Sequence, residues 1–215
     1  MNWDIKEIGT FTLNSGTMRI SDPCYDKTVW CSGTIPNCVI GEWQAGAAYY
    51  NDAMFGRRVA LLVAKVANSS VGFDLANDIY ALTPAPFEVG VDSGQAGMYD
   101  DVSYGLDSTV EDLPEPDEIF GDEPGCLWYS VCCSVTDSDD YAGVIPTGVV
   151  SCSGFGDGGY TAFYHKDGNG KADLIAILYI DPSLESQEDD VGEEEAALIA
   201  ILHIDPDQED EEVGK

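Results

Sequence analysis

The sequence predicts a mostly β fold: an antiparallel sandwich or curled sheet with one or two short helices, and an α+β arrangement as the alternative. Three observations predict it. Short runs rich in Val, Ile, Thr, Tyr and Phe recur along the chain, bounded by Gly, Asn, Asp and Pro. Tyr160–His165, an Asp-Gly-Asn-Gly turn and Leu174–Ile180 read as the clearest hairpin of the chain. Pro84 and Pro86 stand just before the run Phe87–Val91, where the missing backbone donor marks the start of a strand.

The elements follow in order. In "TFTLNSGTMRISDP", Thr10–Leu13 and Thr17–Ile20 flank Asn-Ser-Gly, which reads as a hairpin, and Pro23 closes the second strand. "GEWQAGAAYYN" and "GRRVALLVAKVAN" read as two strands joined by a turn at Asn51–Gly56. Residues 100–124 are acidic and hold Pro114, Pro116 and Pro124, which predicts an exposed insertion or long loop. "GCLWYSVCCSVT" is continuously apolar and fits a buried helix or a central strand, because periodicity alone does not separate the two. "GVIPTGVVSCSGFG" reads as a strand leading into a glycine-rich turn.

The last strand is written twice. Ala172–Pro182 and Ala196–Pro206 agree at nine of eleven positions, with an acidic linker between them and an acidic tail after them. Residues 1–182 therefore read as one β-rich domain and 183–215 as an acidic tail containing a duplicated terminal strand. The second copy carries the same apolar face, so it can add to a sheet edge of its own molecule or of another, which makes self-association a candidate. It can also form a helix, since "EEEAALIAIL" joins strong helix formers to an acidic first turn. A neutral partial duplication kept soluble by its acids is the plainest account.

Composition bounds the function classes. Hydrophobic residues make up 44% of the 215, enough for a core, so global disorder is excluded. No apolar run reaches the ~18 residues of a membrane-spanning helix. The first residues, MNWDIKEIGTF, lack the basic-then-apolar order of a secretory signal. The chain thus reads as soluble and cytoplasmic, with no membrane partner. The net charge of −31 is uneven: residues 1–65 balance six basic against six acidic side chains, and no Lys or Arg lies between Lys65 and Lys166. Such a surface repels nucleic acid and attracts cations or a basic protein. Adaptation to high salt, mimicry of a phosphate backbone and plain acidity with an acidic tail all fit it.

The seven cysteines, Cys24, Cys31, Cys38, Cys126, Cys132, Cys133 and Cys152, are odd in number and lack zinc spacing, so they read as packed free thiols. Three stretches gather residues that bind or react: Ser21–Asp26 "SDPCYD", Val91–Asp101 "VDSGQAGMYDD" and Ser153–Tyr160 "SGFGDGGY". Each sets Asp beside Ser or Gly at a strand end, where glycines admit a close backbone approach and N–H groups can cradle an anion. An Asp in such a turn more often caps backbone groups than performs chemistry.

Taken in order, S-D-P-C-Y, W-C-x-G-T at Trp30–Thr34, G-x-W at Gly41–Trp43, V-D-S-G-Q-A-G and S-G-F-G-D-G-x-Y resemble a family of bacterial and phage proteins defined as a domain of unknown function. The resemblance covers roughly residues 8–180, and the acidic insertion and everything after Pro182 depart from it. It implies a single β-rich domain in a bacterial cell or phage-infected host and supplies no activity.

A soluble binding module with an acidic surface is the leading reading. Asp22, Asp92, Ser93, Gln95, Gly154, Gly156, Asp157 and Tyr160 are its candidate ligand-binding residues, and a small ligand or a basic protein is the partner. A hydrolase-type enzyme is the alternative, with Ser93 or Cys24 as nucleophile and Asp92 or Asp157 for acid–base work. It lacks a base, since His165 borders a hairpin turn and His203 lies in the duplicate. No cofactor is expected beyond calcium as a minor candidate. "HKDGNGKAD" sets Asp167, Asn169 and Asp173 at loop spacing, but His165 opens the loop and Ala176 stands where a bidentate Glu belongs. A hairpin turn explains the same residues more simply.

Overall fold

The computed structural model describes residues 3–68 and 71–183. The chain divides into a body, Met1–Ile180, and a C-terminal stretch, Asp181–Lys215. In the latter the Asp181 carboxylate accepts bonds from the Ser183 N–H and hydroxyl, at 2.9 and 2.6 Å. The second strand copy, Ala196–Pro206 with His203, lies outside the described residues.

The body is mostly β, in two antiparallel sheets with no closed barrel. Its strands are β1 (Lys6–Leu13), β2 (Thr17–Ser21), β3 (Gly33–Pro36), β4 (Gly41–Asp52), β5 (Gly56–Val66), β6 (Thr83–Val91), β7 (Gln95–Asp100), β8 (Ala142–Ile145), β9 (Gly148–Cys152), β10 (Gly158–Lys166) and β11 (Ala172–Leu178). The larger sheet runs β1-β4-β5-β11-β10-β6 and the smaller β3-β2-β7-β9-β8. Helix α1 spans Cys126–Thr136, and two short 3-10 segments lie at Phe73–Ala81 and Asp107–Thr109.

Side-chain alternation builds three cores from the two sheets. Between the sheets pack Leu13, Met18, Trp43, Leu62, Met98 and Ile177 with their neighbours. The outer face of the larger sheet buries Leu61, Val63, Leu174 and Leu178 beneath Ala76, Ile79 and Leu82. The outer face of the smaller sheet buries Tyr99, Ile145 and Val150 beneath Trp128, Val131 and Cys132 of α1. Most of β5 and all of β11 are therefore buried on both faces, which explains their unbroken apolar runs.

Two expected elements stand as read: the β4–β5 pair and the β10–β11 hairpin. Pro84 and Pro86 do not precede their strand but lie inside it: β6 starts at Thr83 and is an edge strand, where a missing backbone donor is tolerated. Two further readings are corrected. Thr10–Leu13 and Thr17–Ile20 are not a hairpin: β1 pairs with β4, and β2 pairs with β3 and β7 in the other sheet. The chain crosses between sheets at Asn14–Gly16 because the buried Asp100 carboxylate holds the N–H of Asn14 at 2.8 Å and of Ser15 at 3.3 Å. Residues 100–124 are not wholly exposed either. Asp100, Tyr104 and Val110 are buried, and Tyr104 joins Tyr99 and Trp128 in an edge-to-face trio with centroids 4.9–5.3 Å apart. The segment is acidic outside and apolar inside, and with α1 it covers the smaller sheet.

Candidate functional site

Strand register brings the three motifs together. Val91 pairs with Gly158, Gln95 with Cys152, and Ser21 with Gly97, so the loops after β2, between β6 and β7, and between β9 and β10 share one end of the body.

Asp22 ties them. Its carboxylate is fully buried and accepts four bonds. Oδ2 takes the N–H groups of Asp92 and Ser93, both at 2.8 Å. Oδ1 takes the Cys24 N–H at 2.8 Å and the Ser93 hydroxyl at 2.6 Å. These donors fill the roughly four lone-pair sites of a carboxylate. The Tyr104 hydroxyl, 2.7 Å from the carbonyl oxygens of Asp22 and Tyr25, fixes the same loop from below.

The glycine-rich loop closes in the same manner. Asp157 Oδ1 accepts the Gly94 N–H at 3.1 Å, and the Ser153 N–H donates to the Gly94 carbonyl at 2.9 Å. The Tyr160 hydroxyl lies 2.8 Å from the Ser153 carbonyl and 2.6 Å from that of Gly156. Gly154 has φ +61°, and a Cβ there would stand 3.0 Å from Tyr179 Cβ and Ile180 Cγ1, so only glycine fits without displacing β11's end. Gly156 also turns at positive φ, but above open space.

The nucleophile candidates meet here in unreactive states. Burial, and then the Asp22 carboxylate, push the Cys24 thiol up to about 12. Nucleophilic cysteines need the opposite shift, toward thiolate. The Ser93 hydroxyl is engaged in bridging two loops, and among the described residues no histidine faces it: His165 Nδ1 is paired with Asp173 at 2.6 Å, on the β10–β11 hairpin. Burial and hydrogen bonding to Asp92 raise the Tyr25 phenol, so it stays a neutral donor.

Of the calcium candidates, Asp167 and Asn169 meet in the turn, with Asn169 Nδ2 donating to Asp167 Oδ2 at 3.4 Å, and Asp173 is engaged elsewhere. Asp167 Oδ1 caps the N–H groups of Asn169 and Lys171 at 2.8 and 2.9 Å, and those bonds lower its carboxyl. Asp173 is buried against His165. Among the described residues no group of three His, Cys, Asp or Glu side chains is arranged to hold a metal ion. No helix among them is long and apolar enough to cross a membrane.

Among the open clefts around this braced hub, two hold candidate ligand-binding residues from the β6–β7 loop. One, of about 660 Å³, is walled by Tyr25, Trp30, Glu88, Asp92 and Asp157. The other, of about 710 Å³, runs between the β7 start and α1, with Ser93, Gln95 and Cys133 on its walls. Gln95 is buried, and its Nε2 donates to Cys133 Sγ at 3.3 Å. Sequence reasoning missed Glu88, Arg58 and Cys133 as cleft residues. Tyr129 and Cys133 are four apart, and burial with contact to the Cys133 thiol raises the Tyr129 phenol. That spacing would have flagged them had the segment been assigned as a helix. Comparison with models of known protein families, with curated proteins and with solved structures finds no match to the chain.

Proposed function

We propose that the protein is a non-catalytic binding module, and that the cleft between Trp30 and Asp157 takes a cationic group of a basic protein partner. The carrying observation is the pairing of one fully engaged hub with one open acidic and aromatic cleft. Asp22, Ser93 and Asp157 spend their hydrogen bonds on holding the loops still, which favours a preformed surface over a reactive one. Beside them Trp30 is 82% exposed, Phe155 is half exposed, and Glu88, Asp92 and Asp157 contribute only negative charge. An exposed indole beside carboxylates suits a guanidinium or ammonium group through ring-face attraction and charge. The absence of Lys and Arg between Lys65 and Lys166 extends the same field over the surrounding surface. The motif resemblance would set this activity in the cytoplasm of a bacterium or phage-infected host.

Calorimetric titration with an oligoarginine peptide, and with oligoglutamate as control, tests the reading. The arginine peptide binds, and its affinity falls as salt rises. Trp30→Ala and Glu88→Gln, both at exposed positions, each weaken it by roughly 5–30-fold, the equivalent of the ~1–2 kcal/mol of such contacts. Equal affinity in the wild type and Trp30→Ala would rule out this cleft.

A further inference from the structure

The strand that the chain writes twice is a central strand of the larger sheet. β11 is buried along its whole length and lies between β5 and β10. Residues 174–178 pair with residues 61–65 of β5, and those five residues return unchanged at 198–202. Ile180, whose N–H donates to the Ala60 carbonyl at 3.1 Å, returns as Ile204. Two positions differ. Ala197 stands for Asp173, which holds His165 Nδ1 at 2.6 Å. His203 stands for Tyr179, whose hydroxyl accepts from Ser151 Oγ at 3.1 Å and donates to the Ala96 carbonyl at 3.3 Å. The second copy thus repeats every aliphatic side chain that β11 places in the cores on its two faces. Sheet edges offer it less. Among the described residues the edge strands are β1, β6, β3 and β8. β3 and β8 are four residues long, and β6 carries Pro84 and Pro86. β1 bulges between Glu7 and Gly9 and spends its Thr12 N–H on the Pro146 carbonyl. Each is a blunted edge.

We propose that the second copy is a spare β11, able to replace the first between β5 and β10, so that the chain has two exchangeable folded forms. β11 is the last strand of the body, so it leaves and its duplicate enters without threading past another strand. The first copy is favoured for two reasons. A short turn at residues 167–171 joins it to β10, and it alone brings the Asp173 and Tyr179 contacts. The duplicate closes a connection of residues 167–195 instead. Loop-closure entropy grows only with the logarithm of length, so the longer connection handicaps this form without forbidding it. In the exchanged form residues 172–182 leave the sheet and join the acidic linker in one long loop. That releases an apolar strand which the favoured form buries. It also withdraws Tyr179 from Tyr160 of the glycine-rich motif, against which its ring packs edge-to-face at 5.1 Å. The exchange does not depend on the Trp30 cleft or on a basic partner.

Four full-length chains test it: the wild type, Ile177→Asp, Ile201→Asp and the two substitutions together. Ile177 is fully buried, and a carboxylate at that place expels whichever strand carries it. Ile177→Asp still unfolds cooperatively on heating, at a lower midpoint, because the duplicate takes the slot. Ile201→Asp melts like the wild type, and the double variant shows no cooperative transition. Amide hydrogen exchange on Ile177→Asp finds protection at residues 198–202 and its loss at residues 174–178. Adding Ala197→Asp and His203→Tyr to Ile177→Asp returns the two missing contacts and raises its midpoint by roughly 2–8 °C. An Ile177→Asp chain as unfolded as the double variant overturns the proposal. So does a double variant as stable as Ile177→Asp, a folded Ile177→Asp whose residues 198–202 exchange freely, or a midpoint that the two restoring substitutions leave unmoved.

Discussion

A single buried carboxylate organises the loop end, and it does so by accepting rather than reacting. Asp22 reaches about seventy positions along the chain through the Asp92 and Ser93 N–H groups and the Ser93 hydroxyl, and holds its own loop through the Cys24 N–H. Replacing it by alanine leaves those part-buried donors without their acceptor. Asp22→Ala should therefore cost ~3–5 kcal/mol in urea unfolding, and Asp22→Asn less, since one amide oxygen still accepts. A smaller loss for alanine than for asparagine would contradict the bracing role. At this scale the sequence was half legible. An Asp beside Pro or Gly at a strand end signals backbone capping, and Asp22, Ser93, Asp157 and Tyr160 all cap or bridge as that chemistry suggests. What they cap was hidden, because the partners meet only through the register of β2, β7 and β9. Arg58 was invisible for the same reason: its doublet with Arg57 says that the two alternate faces, not which one borders a cleft.

Local pairings were readable where the turn itself decides them. The β10–β11 hairpin needs only its Asp-Gly-Asn-Gly turn and two β-forming arms, and the structure has it, with Phe163 opposite Ala176. The β1–β2 connection shows the limit. Asn-Ser-Gly suits a hairpin and a crossing between sheets equally well, since Gly16 at φ +73° serves either. The choice is made by Asp100, more than eighty residues away, whose buried carboxylate anchors the crossing. Asp100→Ala should open the Asn14 and Ser15 amides to hydrogen exchange and lower stability by ~2–3 kcal/mol, the scale of two bonds to a buried charge. Retained protection at both amides would mean that strand packing alone sets the crossing. α1 was undecidable for another reason: its neighbours bury nearly every side, so the one-sided pattern that marks a surface helix is missing.

Charge and burial act together on the whole molecule, and their joint effect is a stability that fails on the alkaline side. Burial raises the thiols of Cys38, up to about 11, and of Cys132, and the phenols of Tyr99, Tyr104 and Tyr179. Each is neutral when folded and free to ionise when unfolded. Above the unfolded thiol pKa of roughly 8.5–9 the folded state thus binds more protons, and stability falls as pH rises through the folded values. The carboxylates lowered by their partners, Asp140 beside Lys6 and Asp167 in its turn, act in reverse: their contribution is present at neutral pH and lost toward acid. Both sit near the surface, where pairs contribute little, so the acid side should be shallow. The Cys38 thiol adds a slope of ~1.4 kcal/mol per pH unit between its unfolded and folded pKa, roughly 3 kcal/mol from pH 9 to 11, and Cys132 acts in the same direction. Urea unfolding across that range should show the fall. Self-repulsion of a chain at net charge −31 pushes the same way, and salt separates the two causes. Sodium chloride screens surface repulsion but leaves burial untouched, so the alkaline slope should persist in molar salt and flatten in Cys38→Ala. A slope erased by salt would assign the alkaline loss to surface charge and leave the buried thiols without a part in it.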